Sequence, residues 1–169
     1  MNFNCNNNYS NNSNNSNNNK NFDSILKKLT TFVLDSNNTN YEYIKNKINK
    51  NIKNTDNVSG IILPKKLSEN SFIILLKDKF NGDIISFIWY GFYVNNKLEQ
   101  VLHINFSYTF ITFRNNGYNK YLRIELENIC KIKNINLITS VPFENSPSKK
   151  ILIKLNYVDS INYFYKKID

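Results

Sequence analysis

Hydrophobic and polar positions follow two different periods along this chain. Residues 22–34, "FDSILKKLTTFVL", place Phe22, Ile25, Leu29 and Phe32 at helical spacing. Residues 40–53 repeat the pattern through Tyr41, Ile44, Ile48 and Ile52. "SGIILPKKLSEN" reads as a connection broken at Pro64. The period then shortens. "SFIILLKD" (71–78) predicts a strand, and Asn81-Gly82 a turn. "DIISFIWYGFYV" (83–94) is nearly continuous in apolar residues, as in a strand buried on both faces. Asn95-Asn96 suits a hairpin turn, because Asn tolerates the left-handed conformation. The chain returns as "LEQVLHINFSYTFITF" (98–113), long enough to call for a bulge or bend.

Helical spacing resumes over 118–133, with Leu122, Leu126 and Cys130 on one face. A strand is expected at 135–141. A helix follows at 146–155, with Pro147 in its first turn and Asn156-Tyr157 ending it. The closing strand is expected at 161–168. This order of elements predicts an α/β fold: a mixed, largely antiparallel central sheet flanked by helices.

Composition narrows the reading. Apolar residues make up 41% and aromatics 14% of 169 residues, which suits one globular domain over 21–169. Residues 1–20 read instead as a disordered Asn/Ser-rich tail, too poor in apolar side chains to offset chain entropy. That tail lacks the apolar centre of a signal peptide, and no apolar run is long enough to span a bilayer. Cys5 and Cys130 form no C-x-x-C pair, so neither a metal site nor a disulfide framework is indicated, and a reducing, intracellular, cytoplasmic setting fits. The formal charge is +9. It suits a polyanionic ligand, but the lysines are scattered and no RNA-recognition motif is present, which ranks nucleic acid last among partners.

One loop stands out. "FRNNGYNKYL" (113–122) joins the long strand to a helix through Arg114 and one of only four glycines. A strand entering a Gly-containing loop and then a helix aims backbone N–H groups and the positive end of the helix dipole at one point, a ready anion site. Arg114 could add a charge-assisted contact, and Gly117 close backbone approach. A glycine serving turn geometry alone is the competing reading.

The segment from this loop to "KLNYV" resembles the core of the GCN5-related N-acetyltransferase (GNAT) superfamily. That superfamily carries an [Arg/Gln]-x-x-Gly-x-[Gly/Ala] loop, a strand, and an Asn opening a helix that ends in a Leu-Gly-Phe-like corner. Here these read Arg114-Asn115-Asn116-Gly117-Tyr118-Asn119, "LITSV", Asn145 and "KLNYV". The resemblance covers about residues 70–168. It implies acetyl-CoA as co-substrate and an amine acceptor, either a small amine or a peptide or protein. It also implies that the amides of Asn115, Asn116, Gly117, Tyr118, Asn119 and Lys120 cradle the pyrophosphate. By the same resemblance, Phe110 and Ile111 pair with the pantetheine arm, and Asn145 bonds to it. Asn145 equally suits an ordinary helix N-cap. Lys149 and Lys150 could reach a CoA phosphate or simply form a solvated helix start.

His103, the one histidine, lies eleven residues before Arg114, where some histone-type members carry a catalytic Glu. Imidazole suits a general base, since it changes charge near neutral pH. A partly buried structural histidine is the other reading. Strand alternation would put Asn105, Ser107 and Thr109 on its face, and Glu99 is a second base candidate. Two departures from the family pattern matter, the second of them for activity. Asn119 replaces a small residue. Leu152 stands seven residues after Asn145, where members often carry a Tyr acid. Tyr157, Tyr163 and Tyr165 could substitute, although packing suits them better. A catalytically silent module binding CoA or a partner is therefore the alternative to an active enzyme.

Overall fold

The computed structural model describes residues 27–55, 63–140, 147–160 and 163–168. The tail expected at 1–20 and the helix-opening Asn145 lie outside those residues. In chain order the elements are β1 (Leu29–Leu34), α1 (Tyr41–Thr55), β2 (Ser71–Asp78), β3 (Ile84–Val94) and β4 (Gln100–Thr109). A 3-10 turn (Ile111–Phe113) leads into α2 (Tyr118–Lys133), followed by β5 (Asn136–Ser140), α3 (Pro147–Lys154), β6 (Val158–Asp159) and β7 (Tyr163–Lys166).

The strands form one sheet in the order β1-β2-β3-β4-β5-β7-β6. Every neighbouring pair is antiparallel except β4 and β5. The expected mixed, largely antiparallel sheet with flanking helices is what the chain forms. α1 covers one face, burying Tyr41, Ile44, Ile48 and Ile52 against Ile73, Leu75 and Phe87. α2 and α3 cover the other, where Leu122, Leu126, Cys130 and Leu152 pack on Ile88, Leu102, Ile104 and Leu137. Two apolar layers on one sheet give the fold its driving force. No helix among the described residues is long and apolar enough to cross a membrane.

Three expectations need correction. The helix expected at 22–34 is, over Leu29–Leu34, the edge strand β1, paired antiparallel with β2. Thr30, Thr31, Phe32 and Val33 are β-branched or aromatic, and the open edge of β2 supplies a partner, so tertiary pairing overrides the helical spacing of Leu29 and Phe32. The hairpin loop takes its left-handed residue at Leu98 (φ 62°) rather than at an Asn. Asn95 instead ties the loop together, its Oδ1 accepting from the N–H groups of Lys97 and Glu99, both at 2.9 Å. Strand β4 stops at Thr109, not at 113. The N–H groups of Phe113 and Arg114 turn back to the carbonyls of Phe110 and Ile111, at 2.8 and 3.2 Å.

One feature of the topology positions the site. β4 pairs with β3 from Gln100 to Thr109, but with β5 only from Val101 to Ile104. Among the described residues, β4 has no strand partner on its β5 side beyond Ile104.

Candidate active site

At the carboxyl end of β4 the chain enters the Arg114–Gly117 loop. Asn115 (φ 65°) and Gly117 (φ 77°) are both left-handed. Gly117 is the N-cap of α2 and makes no side-chain capping bond, and no acid stands in the first helical turn. The positive end of this 16-residue helix therefore has neither a side-chain cap from Gly117 nor a first-turn carboxylate to take its amides.

The loop is braced from behind. Arg114 Nε donates to the carbonyl of Thr109 at 3.0 Å, and Nη2 to the Tyr108 hydroxyl at 3.2 Å. The guanidinium also stacks 5.3 Å from the Tyr108 ring centroid. Arg114 thus faces back onto β4. Asn116 Nδ2 donates to the carbonyls of Phe113 and Arg114, at 3.2 and 3.0 Å. Asn119 Oδ1 accepts from Arg123 Nε at 3.0 Å, so its side chain is engaged along α2. Tyr118 is buried in the α2 core, and Lys120 is exposed. Phe110 is buried on the α1 face with its N–H on the carbonyl of Ile85 (3.1 Å), and Ile111 is exposed in the 3-10 turn.

His103 sits on β4 two residues before the strands' irregularity. Trp89 pairs with Phe106 and Tyr90 with Ile104, which leaves Asn105 as the bulged residue. The bulge flips the faces that simple alternation assigns. Phe106 and Tyr108 pack on the α1 core, the side His103 faces. Ser107 and Thr109 point to the α2 side, where Ser107 Oγ accepts from Arg123 Nη2 (3.2 Å) and Thr109 Oγ1 bonds to Ser86 Oγ (2.8 Å). Of the three residues expected beside His103, only Asn105 is there. Its Oδ1 lies 2.8 Å from His103 Nδ1, and its Nδ2 donates to the Tyr93 hydroxyl at 3.3 Å. The Tyr93 ring meets the imidazole edge to face, with centroids 5.9 Å apart. Tyr93, Asn95, Val101, His103, Asn105 and Ile138 line a shallow groove of about 320 Å³. Tyr93 was not legible as a site residue. Its partner on the neighbouring strand depends on a hairpin register that sequence does not supply.

The remaining candidates fall elsewhere. Glu99 is spent on Asn95 Nδ2 at 2.9 Å in the hairpin loop. Lys149 pairs with Asp159 at 3.6 Å. Leu152 is buried in the α2 core. Tyr157 is buried too, and burial, its largest influence, pushes its phenol far up. Asn156, just after α3, takes the left-handed conformation (φ 60°) that Asn tolerates at a helix end.

No family model matches the sequence, and no curated protein matches it. Solved structures do. An aminoglycoside acetyltransferase from an uncultured soil metagenomic sample, in complex with sisomicin, covers 86% of this chain and 99% of its own at 10% identity and TM-score 0.63. A ribosomal-protein-alanine N-acetyltransferase from Brucella melitensis covers 78% and 94% at 9% identity and TM-score 0.58. Arabidopsis thaliana NAA60, in complex with a bisubstrate analogue, covers 83% and 100% at 12% identity and TM-score 0.61. The fold is that of the GNAT acetyltransferases.

Proposed function

We propose that this protein is an acetyl-CoA-dependent N-acetyltransferase that moves acetyl directly from the thioester to an amine acceptor in a reducing, intracellular setting. The observation that carries the reading is the loop. Two left-handed residues and a helix start without a side-chain cap present N–H donors just past the carboxyl end of β4, with no acid in that helical turn. The amides from Asn115 to Lys120 hold the pyrophosphate. The β4 segment from Asn105 to Thr109 takes the pantetheine arm, and Phe110 and Ile111 close the strand end. Asn145 is the remaining candidate for a pantetheine contact.

In the transfer itself, His103 Nε2 removes the proton from the attacking amine, which has no lone pair while protonated. The amine nitrogen forms the new C–N bond, a backbone N–H at the Asn105 bulge polarises the carbonyl, and the C–S bond breaks. The departing thiolate takes its proton from solvent, because Leu152 stands where members of the fold often carry a tyrosine. The Arg114 guanidinium supports the loop through Thr109 and Tyr108. The structural neighbours named for acting on aminoglycosides and on ribosomal protein alanine set the range of acceptors to assay. Leu152, buried and unable to donate a proton, favours a second reading, a silent CoA-binding module. A thermal-shift titration with acetyl-CoA, CoA and ATP, followed by an amine panel, separates them. Stabilisation by the two CoA species with turnover supports the enzyme. Stabilisation without turnover supports the silent module, and no CoA-dependent shift defeats both.

A further inference from the structure

Resting on the base role given to His103, the geometry points to a four-residue device, Gly91–Tyr93–Asn105–His103, that fixes which imidazole nitrogen carries the proton. The side chains of Asn105 and Tyr93 are positioning groups in this device and touch no reacting atom.

The chain of contacts begins at the imidazole. His103 Nδ1 lies 2.8 Å from Asn105 Oδ1. An amide oxygen only accepts, so Nδ1 is the protonated nitrogen and Nε2 keeps the lone pair. That tautomer is the one a base using Nε2 requires, and the same Nδ1–H bond persists once Nε2 has taken a proton. An amide turned over would offer Nδ2–H to Nδ1, leave the proton on Nε2, and disable the base. In the structure Asn105 Nδ2 donates to the Tyr93 hydroxyl at 3.3 Å while Oδ1 faces the ring, so the two contacts together hold the amide in this orientation.

Tyr93 holds that place only because residue 91 has no side chain. Gly91 pairs with His103 across β3 and β4. A Cβ built on Gly91 would lie 2.8 Å from Tyr93 Cε2, 2.9 Å from its hydroxyl oxygen and 2.9 Å from the Asn70 carbonyl. The carbonyl is pinned, since it accepts from the Phe92 N–H at 2.9 Å. The tyrosine ring therefore lies across Gly91, near perpendicular to the imidazole, and any larger residue would lift it away. Glycine inside a strand is unfavourable on propensity, and here it marks close approach of one side chain across the backbone.

His103 is the chain's only histidine, so 15N-histidine labelling of the full chain gives the signals of one ring. A long-range 1H–15N spectrum, recorded where the ring is neutral, reads the tautomer without any activity assay. The expected result is a protonated Nδ1 and a bare Nε2. A protonated Nε2, or an even mixture, overturns the proposal and leaves the acetyl-transfer reading to stand or fall by its own assays. Asn105→Ala should lose the tautomer preference, and Asn105→Asp, which keeps an acceptor and cannot present a donor, should retain it. Gly91→Ala should shift the spectrum as Asn105→Ala does. If Gly91→Ala fails to fold, Tyr93→Phe serves for the far end and should leave a mixture. In turnover, Asn105→Ala should lower kcat about tenfold with the KM for acetyl-CoA unchanged, and Asn105→Asp should restore most of it. An Asn105→Ala spectrum identical to wild type also overturns the assignment.

Discussion

Asn119 Oδ1 accepts a 3.0 Å hydrogen bond from Arg123 Nε, one turn further along α2. Arg123 is only 2% exposed, and its Nη2 reaches across to Ser107 Oγ on β4 at 3.2 Å. The Asn119 side chain is thereby drawn along the helix, which in the proposed cradle leaves the loop amides uncovered. Asn119→Ala should cost about 1 kcal/mol of stability in urea denaturation, the usual net value of one hydrogen bond, and leave acetyl-CoA affinity unchanged. A tenfold loss of affinity would show that the side chain serves the ligand.

Arg123 itself carries more weight. Burial is the main influence on its guanidinium and lowers its pKa, with Tyr157 and then Glu127 pulling the other way. Glu127 keeps a second partner in Lys166, 2.7 Å away. Arg123→Met should destabilise the fold by about 3 kcal/mol, because it leaves Ser107 and Asn119 without their donor and removes a charge next to buried Glu127. Chemical denaturation of the variant checks this, and a loss under 1 kcal/mol would mean the network contributes little.

Removal of residues 1–20 should leave fold and ligand binding intact, since their composition offers little to a core. Circular dichroism and acetyl-CoA titration of a chain starting at Asn21 measure both. Loss of either would make the tail structural.

The same shortened chain carries Cys130 as its only cysteine. Burial, with a smaller push from Glu127, raises that thiol to about 12. A raised value keeps the thiol protonated in the folded state at all pH below that range, and thiolate is the reactive form. A disulfide reagent at pH 8 should therefore leave the native protein unlabelled and label one thiol per chain on denaturation. Rapid labelling of the native protein would place Cys130 in an opening segment.

Much of this was readable from sequence. The helix at Tyr118–Lys133 was legible because its apolar residues keep one period and Gly117 marks its start. The loop was legible because a glycine and polar residues break a β-rich run. β1 was not, because Leu29 and Phe32 satisfy helical spacing while the neighbouring β2 edge decides the outcome. The faces of Ser107 and Thr109 were not, because a single bulged residue at Asn105 inverts the parity of everything after it. The Tyr93 contact depends on both that bulge and the absence of a Cβ at Gly91, and neither is visible in a one-dimensional pattern.

His103→Ala should lower turnover on the best acceptor by about a hundredfold, the usual scale for losing general-base assistance, while acetyl-CoA affinity stays the same. The pH–rate profile should lose the limb that reports the base. Wild-type turnover in the variant would shift the role to ordered water.

The most direct test of the whole account is calorimetric titration of acetyl-CoA and of CoA into wild type and Gly117→Val. Gly117 is left-handed at φ 77° and opens α2, so a β-branched side chain both strains the backbone and crowds the amides. Gly117→Asn, which tolerates the left-handed conformation, serves as the folded control. The account predicts that wild type binds both ligands with similar affinity, that Gly117→Asn folds with its backbone cradle kept, and that folded Gly117→Val loses at least tenfold for each. Unchanged binding in folded Gly117→Val, or no binding by wild type, would contradict it.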